Sequence, residues 1–396
     1  MNISFWIILY IIDGLLFIPI VLTTLYMLIF ATASLLGHRK IVPKAKHQNR
    51  IVILIPAYRA DKTIMQTVLS VLGQSYPQRL FDITVISDHQ DEITNFRLAQ
   101  LPITLAVPNF ESSTKAKSLQ FAIKSLPAFK IYDVVLILDA DNVVAPEFLD
   151  AVNDAYESAG TKAIQLHRVS KNRDTAAARL DSIFEEINNS VFRLGHINMG
   201  LSSAITGSGL VLDFNWFSKN VGKLKTAAED KELEALLMQQ QVFVDYFNDV
   251  FVYDEKTRST KAFNKQRGRF VSTQFHTAIK NMRYLIPSLF SKRYDYADKI
   301  LQWMLVPRTV LIALITLISL VLPFIYMTLA IKWWVTFAVV MFAFALATPD
   351  YLMDKDWDKS FLKAPFLMLW ALINLLRMKG GKNKFVHKNK TNNYQV

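Results

Sequence analysis

In the stretch VVLILDADNVVAPEFL, residues 134–149, an apolar run ends at Asp139-Ala140-Asp141. On an extended backbone, residues two apart point the same way, so the two carboxylates lie side by side. Like charges that close repel unless a cation stands between them, and a hard divalent ion such as Mg²⁺ or Mn²⁺ suits the role. A structural reading also fits: the pair ends a strand and caps the helix that starts near Pro146. The residues alone leave both open. Glu229-Asp230, followed by Glu232 and Glu234, opens a stretch reaching Gln241. Acidic residues there favour the first turn of a helix. In Thr206-Gly207-Ser208-Gly209, two positions lack side chains, which lets backbone approach a substrate closely or simply make a turn.

Such residues act only if something brings them together. Short β-branched and apolar runs at 51–55, 81–86, 101–107, 134–138 and 162–169 read as strands. Residues 61–72 and 113–125 have helical spacing between them. Alternation of this kind predicts an α/β domain with a mostly parallel sheet and helices on both faces. Ligands of such sheets lie beyond the carboxyl ends of the strands. Pro56-Ala57-Tyr58, Asp88 and the Asp139/Asp141 pair all fall at those ends. A dinucleotide-binding oxidoreductase would show G-x-G-x-x-G after its first strand. Here that position reads Pro-Ala-Tyr-Arg-Ala-Asp, in a chain with only 12 Gly.

The rest of the chain is different material. Hydrophobic residues make up 52% of the 396, and the mean hydropathy is +0.22. The excess is concentrated at the ends, in residues 1–36 and in two runs within 309–348, close to the ~20 apolar residues that cross a bilayer. The first run has no Lys or Arg before it and is too long for a signal-peptide core, so it reads as a retained anchor. His38, Arg39, Lys40, Lys44, Lys46 and Arg50 follow it and place the next segment in the cytosol. Residues 277–301 read as interfacial helices, 361–378 as an interfacial or re-entrant helix, and 379–396 as a basic cytosolic tail. The net charge of +12 then points to anionic lipid and phosphate-bearing substrates rather than nucleic acid. Lys256, Arg258, Lys261, Lys265 and Arg267 read as a solvated basic face. With no Cys at all, disulfides, thiol catalysis and thiolate metal sites are excluded.

Taken in order, IPAY, VISD, a Lys-Ala pair, LDAD, TGSG, AED and QRGRF resemble the motifs of family-2 inverting glycosyltransferases. The resemblance spans residues 50–270 and extends to the membrane-integrated branch with the synthases of cellulose, hyaluronan and poly-N-acetylglucosamine. It implies a cytosolic GT-A domain, residues 50–276, that binds a nucleotide sugar between transmembrane helices. By the same resemblance Pro56, Ala57 and Tyr58 lie against the nucleotide base and Asp88 reads the uracil of a UDP-sugar. Lys115 reaches the diphosphate, although Thr114 stands where the family has Gly. Asp139 and Asp141 become the D-x-D pair that holds Mg²⁺ or Mn²⁺, with Asp139 also on the donor side. Asp230 becomes the base that takes the acceptor hydroxyl's proton, with Ala228 in place of the usual Thr. Gly207, Ser208, Gly209, Glu229, Gln266 and Phe270 fall beside the acceptor, and Arg269 on the pyrophosphate. Phe270 replaces the family's Trp, keeping an aromatic face but losing the indole donor.

The expected activity is metal-dependent transfer from a UDP-sugar to a growing polysaccharide, by a multi-pass protein of the inner or plasma membrane. Single transfer to a lipid-linked or other membrane acceptor, and a silent scaffold or export subunit, are the alternatives. Three crossings are few for a polysaccharide channel, which calls for a homo-oligomer or an export partner.

Overall fold

The computed structural model describes residues 3–37, 40–226 and 228–352. The segments expected at 361–378 and 379–396 lie outside the described residues. Along the chain come α1 (Ile3–Leu36), β1 (Ile51–Tyr58), α2 (Ile64–Leu72), β2 (Phe81–Asp88), α3 (Glu92–Ala99) and β3 (Thr104–Ala106). There follow α4 (Lys115–Ser125), β4 (Val134–Ile137), α5 (Phe148–Ala159), β5 (Ala163–Ser170), α6 (Ala176–Ile187) and α7 (Gly195–Asn198). Next are β6 (Leu210–Asp213), α8 (Phe214–Asn220), α9 (Glu229–Gln239) and β7 (Val244–Asp254). The last helices are α10 (Thr260–Asn281), α11 (Leu285–Phe290), α12 (Tyr294–Met304), α13 (Arg308–Val321) and α14 (Met327–Ala347).

These elements gather in two compact units. The sheet unit comprises residues 38–173 and 200–257. Its sheet has the order β3-β2-β1-β4-β6-β5-β7. β1 runs parallel to β2 and β4, β2 to β3, and β5 to β7, while β6 lies antiparallel between β4 and β5. The sheet is therefore mostly parallel, as expected of an α/β domain. Ile51, Ile53 and Ile55 pack with Leu136 and Leu138 and with Ile64 and Val68 of α2 in the core. Central strands covered on both faces must be apolar at every position, which is why β1 and β4 carry unbroken runs.

Register delivers the polar residues. Tyr58 pairs with Asp88 across β1 and β2, and Leu54 with Ile137 across β1 and β4, so Asp139 comes out at the same rim. Antiparallel pairing of Ile137 with Leu210 brings the residues just before β6, Ser208 and Gly209, to that rim as well. β6 and β7 escape the periodicity reading. The first has only four residues, and the second, VDYFNDVFVYD, mixes polar and aromatic residues with no clean alternation.

The helical unit comprises residues up to 37, 174–199 and the described residues from 258 onward. Two of its helices, Trp6–Leu36 and Met327–Ala347, are long and apolar enough to cross a membrane. A third span exists if Tyr294–Met304 and Arg308–Phe324, bent by 50°, are taken together. The two apolar runs within 309–348, residues 309–331 and 333–348, have the charge of Lys332 between them. The break instead falls at Ile325–Tyr326, after a 3₁₀ turn containing Pro323, where a missing N–H ends α13. Lys332 sits inside α14, bonded to Asp13 of α1, and the Trp333 indole donates to the other Asp13 oxygen at 2.8 Å. A neutralised charge does not interrupt an apolar helix.

Removal of Asp13 leaves an ammonium and an indole N–H without their acceptor. Asp13→Ala and Lys332→Ala each lower thermal stability in detergent, and the double variant loses less than the sum. A double-mutant cycle from unfolding midpoints is expected to give a coupling of about 0.5–3 kcal/mol; strict additivity would contradict the pairing.

Candidate active site

The site is built at the carboxyl ends of β1, β2 and β4. Lys115 is the first residue of α4, whose N-cap Thr114 accepts a hydrogen bond from the Lys117 amide at 3.2 Å. The Lys115 ammonium bonds the Asp139 carboxylate and donates to the Gly207 carbonyl at 2.6 Å. A Cβ on Gly207 would stand 2.9 Å from the ammonium nitrogen and 3.1 Å from Glu229 Oε1. Only a residue without a side chain lets the cation and the two carboxylates share that space. Burial works against the Lys115 charge, yet Asp139 and Glu229 overcome it and hold the ammonium above its ordinary value.

Asp139 is fixed through its backbone, its amide donating to Asn142 Oδ1 at 2.9 Å and Ser208 Oγ at 3.1 Å. The Ser208 hydroxyl in turn donates to the fully buried Asn142. Asn142 Nδ2 reaches Asp141 at 3.5 Å. Gly209 takes φ of +63°, where a Cβ is strained. Buried Gln165 of β5 clamps this loop, donating to the Ser208 and Gly209 carbonyls and accepting from the Thr206 amide at 2.8 Å. Among the described residues no three His, Cys, Asp or Glu side chains gather as a metal cage. Strand β4 ends at Ile137 and Asp141 lies in the turn that follows, so the pair is not on the extended backbone that its spacing suggests; carboxylates still suit Mg²⁺ or Mn²⁺, which complete their coordination with water and phosphate oxygens.

Glu229 and Asp230 open α9. Burial first, and then Asp230, push the Glu229 carboxyl up to about 7 against the pull of Lys115. Glu234, one turn on and fully buried, accepts from the Ile205 amide at 3.0 Å and from Lys231. It ties α9 to the Thr206–Gly209 loop, which explains why so acidic a helix start is tolerated.

At the β1/β2 rim, Asp88 is 1% exposed. Its Oδ1 meets His89 Nδ1 at 2.6 Å and accepts from Ser113 at 3.0 Å, while buried Oδ2 has no hydrogen-bond partner. Tyr58 and His89 meet edge to face, ring centroids 5.6 Å apart. Arg59 and His89 both have positive φ, 47° and 55°. Strain of this kind persists where the surroundings impose it and is concentrated at functional sites.

Lys115, Asp139, Gly207, Ser208, Gly209 and Glu229 thus meet. Pro56, Ala57, Tyr58 and Asp88 stand at the adjoining strand ends. Gln266, Arg269 and Phe270 belong to α10 in the helical unit, where Arg269 and Phe270 are exposed. The basic stretch is not one solvated face. Lys256 is buried on Asp254, which also pairs with Arg168 at 2.7 Å. Arg267 is bonded to Asp181, and the Arg258–Asp174 pair at 2.5 Å is partly exposed. The side chains of Lys261 and Lys265 lie outside those described. Gln165, Asn142 and His89 carry no signal in the sequence, because each is an ordinary polar residue until the fold supplies its partners.

A family profile described as glycosyl transferase family group 2 matches residues 134–348, more than half of the chain. No curated protein matches in sequence. Among solved structures, the mannosyltransferase PcManGT from Pyrobaculum calidifontis, in complex with GDP-Man and Mn²⁺, is similar at a TM-score of 0.56 and 14% identity, over 92% of this chain and 98% of that one. S. aureus TarS 1–349 follows at 0.44 and 14%, over 83% and 90%, too loose a likeness to argue from. The first likeness shows a GT-A-like fold.

A carboxyl raised to about 7 binds protons in the folded state that the unfolded chain has already released. Stability therefore falls as pH rises from about 4.5 to about 7. Glu229→Gln removes that slope. Its melting temperature relative to the wild type is expected to rise across the window, and a constant difference would refute the shift.

Proposed function

We propose that this chain, which belongs to glycosyl transferase family group 2, is a membrane-anchored inverting enzyme that transfers a sugar from a UDP-sugar to a growing polysaccharide. One observation carries the reading: Lys115, Asp139, Gly207 and Glu229 converge beside Asp141 and Asp230 at the rim where an α/β sheet binds its ligand. When bound, Mg²⁺ or Mn²⁺ held by Asp139 and Asp141 supplies positive charge where the leaving diphosphate gathers negative charge. Lys115 donates to the same diphosphate. Asp230 takes the proton of the acceptor hydroxyl, with Gly207, Ser208, Gly209 and Glu229 shaping the acceptor side. Gln266, Arg269 and Phe270 are assigned to the same reaction on the strength of the motif resemblance, Arg269 as a phosphate partner.

The base is read at Asp88. A buried acceptor without a donor costs about 1–3 kcal/mol, and the N3–H of uracil is a donor of the right kind. Tyr58 and His89 offer ring faces beside it. Guanine also presents a ring N–H, so UDP is the proposal and GDP the competing outcome. The apolar helices anchor the chain in the inner or plasma membrane, with the sheet unit on the cytosolic side by the distribution of Lys and Arg.

Calorimetry with UDP and with GDP, each with Mn²⁺, runs beside turnover with labelled UDP-sugars. Asp88→Asn is expected to weaken UDP, and Asp141→Asn to abolish metal-dependent binding. Asp230→Asn keeps nucleotide affinity while turnover drops by a factor of roughly 10²–10⁴. Tighter binding of GDP than UDP would reverse the donor assignment, and loss of UDP binding in Asp230→Asn would remove Asp230 from the acceptor side.

A further inference from the structure

A second buried acceptor lacks a donor beside Asp88. Gln90 follows His89, whose backbone is left-handed, and precedes Asp91, whose amide donates to Asp61 Oδ1 of the β1–α2 loop at 2.7 Å. The Gln90 side-chain nitrogen donates to the Ala57 carbonyl at 3.4 Å, a long bond. Its Oε1 is buried and has no hydrogen-bond partner among the described residues. A carbonyl only accepts, so turning the amide over would set Oε1 against another acceptor. The nitrogen must face Ala57, and the oxygen stays without a donor.

Asp88 Oδ2 and Gln90 Oε1 thus share one shortage, two residues apart. The loop that carries them is held in place. The Arg59 amide donates to the Asp88 carbonyl at 3.1 Å, and His89 and Ser113 bond Asp88 Oδ1. A buried acceptor without a donor is destabilising. Two of them in one fixed loop, at a rim where sheets of this class bind ligands, call for a ligand with two donors.

A nucleoside diphosphate restricts what those donors are. Ionised diphosphate oxygens only accept. Uracil has a single N–H, at N3 between two carbonyl groups, and Asp88 takes it in the function proposed above. The next donor along the nucleoside is the ribose 2′-hydroxyl, on the O2 side of the base.

We propose that Gln90 is a specificity-determining residue of the nucleotide site, its Oε1 accepting from the ribose 2′-hydroxyl while Asp88 accepts from the base. The site then selects a ribonucleoside diphosphate over its 2′-deoxy counterpart. The proposal rests on reading the β1/β2 rim as the nucleotide site.

Full-length protein in detergent with Mn²⁺ is titrated by calorimetry with UDP, 2′-deoxy-UDP, GDP and 2′-deoxy-GDP. Which base binds tests the UDP assignment, and the ratio of ribo to deoxy affinity within that base tests Gln90. Wild-type protein is expected to bind the ribonucleotide about tenfold tighter, the worth of one hydrogen bond to a buried acceptor. Gln90→Met, similar in length but without the amide oxygen, removes that preference by weakening the ribonucleotide alone. Gln90→Glu keeps an acceptor and with it the preference, and Asp88→Asn weakens both nucleotides while leaving their ratio. Equal binding of ribo and deoxy forms by the wild type would overturn the proposal. So would Gln90→Met weakening both forms by the same factor, the result expected if Gln90 served only to hold the Ala57 carbonyl. Binding of neither UDP nor GDP would remove the nucleotide site and this proposal together.

Discussion

One ammonium group ties together the rim of the candidate site. Lys115 reaches from the start of α4 to the end of β4 at Asp139, to the backbone before β6 at Gly207, and into the field of Glu229 at the start of α9. A cation at a helix's first residue opposes the helix dipole, so nothing local favours Lys115 there. The carboxylates it faces compensate, and they in turn would repel one another without it. Four segments far apart in sequence thus share one polar contact point, in addition to the sheet register and the Gln165 and Glu234 bonds that hold them. A diphosphate and a divalent ion bring the same two signs of charge. Under the proposed function Asp139 would help hold the ion in place of the ammonium, and Lys115 would meet the diphosphate in place of Asp139.

Gly207 and Gly209, close together at this point, have different roles. Gly207 is small because the ammonium and Glu229 occupy the space a side chain would take. Gly209 is glycine because its backbone is left-handed, turning the chain from the Gln165 clamp into β6. Spacing in the sequence shows two glycines around a serine and nothing of this division. It also hides what Gln165, Asn142 and Ser208 do: they hold the Asp139 amide and the loop, Gln165 and Ser208 through bonds between residues dozens of positions apart.

What the sequence does disclose follows from local physics. Central strands buried on both faces are continuous apolar runs, so β1, β2 and β4 stand out, and their polar ends mark the rim. Strand β6 is short and antiparallel and β7 irregular, so both depend on neighbours that periodicity cannot see. Charge misleads in the same way. Lys332 looks like the end of a span and Lys256 like a solvated residue, yet Asp13 and Asp254 neutralise them. A charged residue reports its environment only together with its partner.

If the apolar helices cross a membrane, as proposed, such partners matter most in the helical unit, where water would be absent. Between apolar helices in lipid there is little hydrophobic drive, and association rests on close packing and on polar bonds. Gly195 of α7 lies so near α1 that a Cβ would stand 2.2 Å from the Phe30 carbonyl oxygen. Beside it, the Tyr26 hydroxyl meets His196 Nε2 at 2.8 Å and donates to Asp298 Oδ1 at 2.7 Å. That bond set joins α1, α7 and α12 at one level, and Asp13 with Lys332 and Trp333 joins α1 to α14 at another. Two polar levels on one long helix fix both its height and its rotation against its neighbours. A single pair would fix only the height and leave α1 free to turn about it.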